Sequence, residues 1–144
     1  MLTIDANVFV SAASSSEIQY SASTEFFVRV LQLSERLYSP TLLVSETIAG
    51  IYRPTNDILL ARRTASGMNQ FPGLILVNVD TVLANAAASV VLQCRLRGAD
   101  ALYVAVAQEY ETTLITWDQE LLMRGPAVVP TMTPADWLVS HPIG

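Results

Sequence analysis

The functional groups this sequence offers in quantity are oxygen donors. It carries thirteen carboxylates against one histidine, His141, and one cysteine, Cys94; all eight basic residues are arginines and there is no lysine. The missing lysine excludes Schiff-base chemistry and the P-loop grip on phosphate. One histidine and one cysteine cannot assemble the three or four nitrogen and sulfur ligands of a zinc site. No Gly-x-Ser-x-Gly segment marks a nucleophilic serine. Cys94 lies in an apolar, helix-like run and reads as a small core or surface residue. His141, beside Pro142, reads as a solvated tail residue.

Of the carboxylates, Glu17, Glu25, Glu35, Asp57, Glu109, Glu111, Glu120 and Asp136 sit in polar surroundings and are expected to be solvated. Four stand apart. Asp5 falls inside the apolar run from Leu2 to Val10, where an ionised group is costly to bury unless something pairs with it. Asn7 adds a second polar group to that run; the competing role for Asp5 is an Asx-turn or a helix cap after a first strand. Glu46 shares a helical stripe with Leu42, Leu43, Ala49, Gly50 and Arg53. A salt bridge to Arg53 would have to span two turns, roughly 10 Å along the axis. Asp100 and Asp118 each precede a helix-like segment, and each is also a good N-cap.

The elements that must position these groups alternate. Leu2 to Ile4 reads as a strand leading into Asp5. A helix then starts near Ser23, capped by Ser21 or Ser23, with Phe26, Phe27, Val30 and Leu31 inward. Leu37 to Ser39 is a short strand, and Pro40 opens a helix that Pro54 stops after Tyr52. A polar helix runs from Asp57 to Ser66, ended by Gly67. Leu74 to Val79 reads as a buried strand, Thr81 to Cys94 as a helix, and Gly98 to about Glu111 as another. In that last helix Ala101 to Ala107 is apolar without a break, so it should lie against the centre of a sheet. Thr113 to Thr116 is a strand, Asp118 to Arg124 a helix closed by Gly125, Val128-Val129 a last strand, and Thr133-Pro134 starts a closing turn of helix. With no repeat or linker, residues 1–144 read as one α/β domain with a mainly parallel sheet.

In such a sheet, sites form beyond the carboxyl ends of the strands where the strand order reverses. Asp5, Asp118 and Asp100 should therefore gather near one edge, with the helix of Glu46 completing the ring. Converging carboxylates raise one another's pKa, a divalent cation relieves the repulsion, and an all-oxygen set selects Mg²⁺ or Mn²⁺. The chemistry implied is phosphodiester hydrolysis by an activated water.

Four segments, in order and across the whole length, resemble the PIN-domain family, small nucleases that include the VapC toxins of toxin–antitoxin pairs. Ile4 to Phe9 is similar to the family's first strand with its Asp, and Pro40 to Arg53 to the helix carrying its Glu. Gly98 to Ala107 is similar to its third acidic segment, and Leu114-Ile115-Thr116-Trp117-Asp118 to its Thr-x-Asp strand end. The resemblance implies a PIN-like three-layer α/β/α sandwich with about five strands and a Mg²⁺- or Mn²⁺-dependent endoribonuclease, often a homodimer; the single cysteine, which excludes an internal disulfide, separately fits a cytoplasmic setting. Asp5 and Asp100 would be the main metal ligands, with Glu46 and Asp118 completing the catalytic cluster directly or through waters. Asn7 and Thr116 would support it by hydrogen bonds. A VapC-like toxin would also have an antitoxin protein as partner, and no membrane association is expected.

The net charge departs from this picture. It is −5, whereas RNA binders draw much of their affinity from phosphate contacts. Arg95 and Arg97, close to Asp100, and Arg62-Arg63 are the candidate phosphate grips; a solvated helix face is the alternative for both pairs. Two other functions compete. One is a non-catalytic PIN-like RNA-binding or assembly module. The other is an aspartyl phosphatase, which the absence of lysine and the Asn at position 7 disfavour.

Overall fold

The computed structural model describes all residues, 1–144. Its strands are the short apolar runs: β1 (Leu2–Ile4), β2 (Leu37–Pro40), β3 (Leu74–Val77), β4 (Thr113–Ile115) and β5 (Thr131–Met132). They form one sheet in the order β3-β2-β1-β4-β5, and every pairing is parallel. The helices are α1 (Ala6–Ala13), α2 (Tyr20–Gln32), α3 (Leu43–Thr55), α4 (Ile58–Asn69), α5 (Thr81–Cys94), α6 (Gly98–Glu109), α7 (Gln119–Arg124) and α8 (Pro134–Ser140).

Parallel neighbours need crossovers, and crossovers are right-handed. From β1 through β2 to β3 the chain steps one way, which puts α1 to α4 on one face of the sheet. From β3 it jumps past β1 to β4, which puts α5 and α6 on the other. The strand order thus reverses between β1 and β4, the place where such sheets hold their sites. α6 covers the middle of the sheet, packing on β1, β2 and β4 and against α5. Ala101 and Tyr103 to Ala107 are buried accordingly. On the opposite face Phe9, Phe26, Phe27, Phe71 and Trp137 form one chain of aromatic contacts that seals α1, α2 and α8 together.

Several element boundaries differ from the sequence expectation, each for a physical reason. The apolar run after Asp5 is helix α1, because continuous apolarity suits a buried helix as well as a buried strand. α2 starts at Tyr20 without a side-chain cap. Ser23 cannot cap it, because its hydroxyl is fully buried between Ser11 Oγ at 2.7 Å and the Trp117 indole at 2.8 Å. Pro40 ends β2 opposite Val77 rather than opening α3. Pro54 is accommodated in the last turn of α3, and the stop is Asn56, at φ 54°. α4 runs through Gly67 to Asn69. β3 is an edge strand, shorter than expected and with Ile75 40% exposed, not a buried one. α6 ends at Glu109, two residues before Glu111 turns left-handed. The last strand is Thr131–Met132 and not Val128-Val129, because Pro126 sits in a 3₁₀ turn (Gly125–Ala127) that leaves Pro130 and Met132 to accept the bonds of β4. His141 is not a free tail residue: its ring stacks on Trp137 at 4.2 Å, and its carbonyl accepts from the buried Arg29 guanidinium.

Candidate acidic active site

Each carboxylate is placed by a different element. Asp5 follows β1, which lies between β2 and β4, so its side chain is only 6% exposed. It holds the position before α1 yet makes no side-chain cap bond, which removes the capping role. Its partner is Thr116, whose hydroxyl donates to Asp5 Oδ2 at 2.6 Å. The same Thr116 oxygen accepts from the Asp118 backbone N–H at 2.9 Å and from Asn7 Nδ2 at 3.3 Å. Asn7 in turn accepts from the Trp117 N–H through Oδ1 at 3.1 Å. Thr116 and Asn7 therefore lock the start of α1 to the end of β4 and fix Asp5 and Asp118 with respect to each other.

Asp118 is a true N-cap, accepting from the Leu121 N–H at 3.0 Å through Oδ1. That bond engages one oxygen only. Asp100 is not a cap: Arg97 holds that position, and Asp100 sits in the first turn of α6. Its closest cation is Arg97 Nε at 4.0 Å. Glu46 has no ion pair with Arg53 or any other residue; instead the Tyr103 hydroxyl donates to its Oε1 at 2.5 Å.

The electrostatics tie the four together. Burial pushes the Asp5 carboxyl up to about 7; the Thr116 bond opposes this, and the charges of Asp100 and Glu46 add to it. Asp100 is also raised, by burial first and then by Asp118, with Glu46 and Glu120 adding and Arg97 opposing. Asp5, Glu46 and Asp100 thus repel one another, and Asp118 joins through Asp100. No three of them converge closely enough to ligate one cation by themselves. The donor set is all oxygen, and its charge is uncompensated at Asp5 and offset at Asp100 only by the exposed Arg97 at 4.0 Å. That fits a hard cation held by one or two carboxylates with waters in the remaining positions, the usual coordination of Mg²⁺.

Of the arginines, Arg97 is 85% exposed beside Asp100. Arg95 is exposed in a left-handed conformation at the end of α5, and its carbonyl accepts from Arg124 Nη1 at 2.7 Å. Arg124, which the sequence reading passed over, thereby joins the basic corner, while pairing with Glu120 at 3.0 Å. Arg62 and Arg63 lie on the exposed surface of α4, Arg62 beside Ile48, Tyr52 and Ile58.

Tyr103 is the other residue the sequence reading missed. It is fully buried, and burial with the Glu46 bond raises its hydroxyl far above the ordinary tyrosine range, so it stays a donor. The signal was available: three residues after Asp100 it shares that residue's helix face, and a tyrosine inside an apolar run must find a partner for its hydroxyl.

Residues 2–124, which include all four carboxylates, match the family model of the PIN domain. The chain belongs to the PIN domain family. Solved structures share its three-layer fold at low identity. Mycobacterium tuberculosis VapC20, described as a sarcin–ricin loop cleaving toxin, is 12% identical at a TM-score of 0.70, covering 85% of this chain and 94% of its own. PAE2754 from Pyrobaculum aerophilum is 18% identical at 0.70, covering 96% and 94%. FitAcB from Neisseria gonorrhoeae is 19% identical at 0.65, covering 93% and 98%. No curated protein sequence matches the chain. The PIN-like α/β/α sandwich with five parallel strands is thus the fold, and no helix of it is long and apolar enough to cross a membrane.

Proposed function

We propose that this PIN domain, residues 1–144, is a Mg²⁺- or Mn²⁺-dependent endoribonuclease of the VapC-like toxin type. The observation that carries the reading is Asp5: a carboxyl buried at the strand-order reversal, raised to about 7 by burial and by two further carboxylates. A fold gains nothing from such a charge unless something positive binds there. In this reading Asp5 and Asp100 are the main ligands, and Glu46 and Asp118 complete the cluster directly or through waters and orient the attacking water. Asn7 and Thr116 hold the carboxylates in place. Bound there, the ion supplies the charge that offsets the carboxylates and acidifies water for attack on a phosphodiester.

Arg95 and Arg97, with Arg124 alongside, grip the backbone phosphates of RNA, compensating locally for the net charge of −5. RNA as substrate rests on the resemblance to VapC toxins and on the description of VapC20. A toxin of this type works with an antitoxin protein and as a homodimer in the cytoplasm. The apolar cavity of about 440 Å³ lined by Phe9, Ala12, Phe27, Met68 and Phe71 offers an unpartnered surface of the kind such association needs.

The test is Mn²⁺ binding and the melting temperature with and without chelator, for wild type and Asp5→Asn, followed by RNA cleavage. A metal-induced rise and cleavage that Asp5→Asn loses support the reading. The acidic, lysine-free surface favours one competitor, a non-catalytic PIN-like RNA-binding or assembly module; RNA binding with no metal response in either protein would select it.

A further inference from the structure

We propose that Tyr103 is a positioning residue of the acidic site: its hydroxyl clamps Glu46 Oε1, leaving Oε2 as the oxygen available to the ion or its waters. The inference rests on the metal-site reading above. The bond is 2.5 Å long, the length of a charge-assisted O–H···O⁻ contact, which is shorter and stronger than a neutral one. Tyr103 is fully buried, so its hydroxyl cannot turn to water, and Glu46 is its only partner. Glu46, in contrast, is half-buried, and its carboxylate, on a flexible stem of two methylenes, accepts no other hydrogen bond.

The bond also crosses the molecule. Glu46 is carried by α3, which packs on α1 and α4, while Tyr103 is carried by α6, which packs on α5 and on the other face of the sheet. Across that division the hydroxyl ties the Glu46 helix to the helix that bears Asp100. Tyr103 lies three positions after Asp100, so one face of α6 supplies both a carboxylate and the clamp for another. Packing alone does not call for the hydroxyl, since a phenylalanine ring fills the same space.

The experiment is a double-mutant cycle on Mn²⁺ affinity, read by calorimetry, with wild type, Tyr103→Phe, Glu46→Ala and the double variant. Tyr103→Phe should weaken Mn²⁺ binding by about 10- to 100-fold, the range for removing a group that orients a metal ligand. Its melting temperature in chelator should fall by only a few degrees, because the half-buried Glu46 oxygen left behind can take a water. In the Glu46→Ala background the same change should produce almost no further loss, because the residue it acts through is gone. Affinity unchanged in Tyr103→Phe overturns the proposal while leaving the metal site standing. An equal loss in both backgrounds also overturns it, by showing that the hydroxyl supports the fold and not Glu46. If wild type binds Mn²⁺ no better than Asp5→Asn, the metal-site reading itself fails and takes this proposal with it.

Discussion

Asp5→Asn should make the metal-free protein more stable, and increasingly so as pH rises. The carboxyl titrates at the ordinary 3.8 in the unfolded chain and at about 7 in the folded one. Between those values the folded chain holds a proton that the unfolded chain has released. Native stability therefore falls as pH rises through the window from about 4 to 7 and is level above it. The full difference amounts to about 4 kcal/mol, and Asp5 is too buried for solvent to screen much of it away. Asparagine has nearly the same shape and its carbonyl can still accept from Thr116, so the variant keeps the bond and loses the charge. Thermal unfolding in chelator should show a variant about 10 °C above wild type near pH 8, at about 3 °C per kcal/mol for a chain of this size. Between about pH 5 and pH 8 the gap should widen by about 3 kcal/mol. A gap that is flat with pH would refute the argument, because a packing change has no reason to follow a titration. A variant less stable than wild type near pH 8 would show that Asp5 is compensated by a charge the structure does not reveal.

Three other variants separate structure from function. Asp100→Asn should also melt higher than wild type in chelator above neutral pH, since burial and Asp118 raise its carboxyl and it caps nothing; a lower melting temperature would mean that its Arg97 contact outweighs the repulsion. Asp118→Asn should keep the cap on Leu121 and its melting temperature while losing RNA cleavage, whereas Asp118→Ala should lose cleavage and about 1 kcal/mol as well; full cleavage by the Asn variant would reduce Asp118 to a cap. Gly50→Ala should destabilise by about 1 kcal/mol despite the better helix former, because its Cβ would meet Val10 Cγ2 at 2.7 Å where α3 crosses α1; denaturant unfolding at unchanged or higher midpoint would show that Val10 gives way freely.

The sequence pattern was most informative where local chemistry and tertiary burial agree. The alternation of short apolar runs with helical stretches led to a parallel sheet, and the seven apolar residues from Ala101 to Ala107 located the helix that covers its centre. It was least informative where tertiary contacts overrule a local preference. The segment after Asp5 has no periodicity to separate strand from helix, so α1 was invisible. Ser23 looks like a cap and is instead claimed by Ser11 and Trp117. Pro40 looks like a helix opener, but it can end a strand because the pairing of β2 with β1 has already stopped at Tyr38, while its partner across β3 is still Val77. At the site, Asp5, Asn7 and Glu46 could be singled out as polar groups in apolar surroundings, Asp100 and Asp118 by their places at helix starts, and Thr116 only through the family resemblance. Tyr103 was hidden by the same apolar run that identified its helix. The distances between the carboxylates were beyond sequence reasoning altogether, since they depend on where α3 and α6 come to rest.

The connections among Asp5, Thr116, Asn7 and Asp118 separate what the fold requires from what it tolerates. Thr116 and Asn7 satisfy backbone N–H groups of Trp117 and Asp118 and join α1 to β4. Removing either would leave a half-buried donor without its partner, so both are accounted for by structure alone. Asp5 is different. Its single side-chain partner donates to it and would donate as well to a neutral amide. Its charge is opposed by burial and by two neighbours. Nothing in the packing of β1 or α1 asks for an ionisable group there, and the metal-free protein would be more stable without one. A charge that folding opposes and that no ion pair offsets finds its explanation in what binds to it. The corner of the sheet where stability is given up is therefore also the corner where a cation and a phosphodiester have the most to gain.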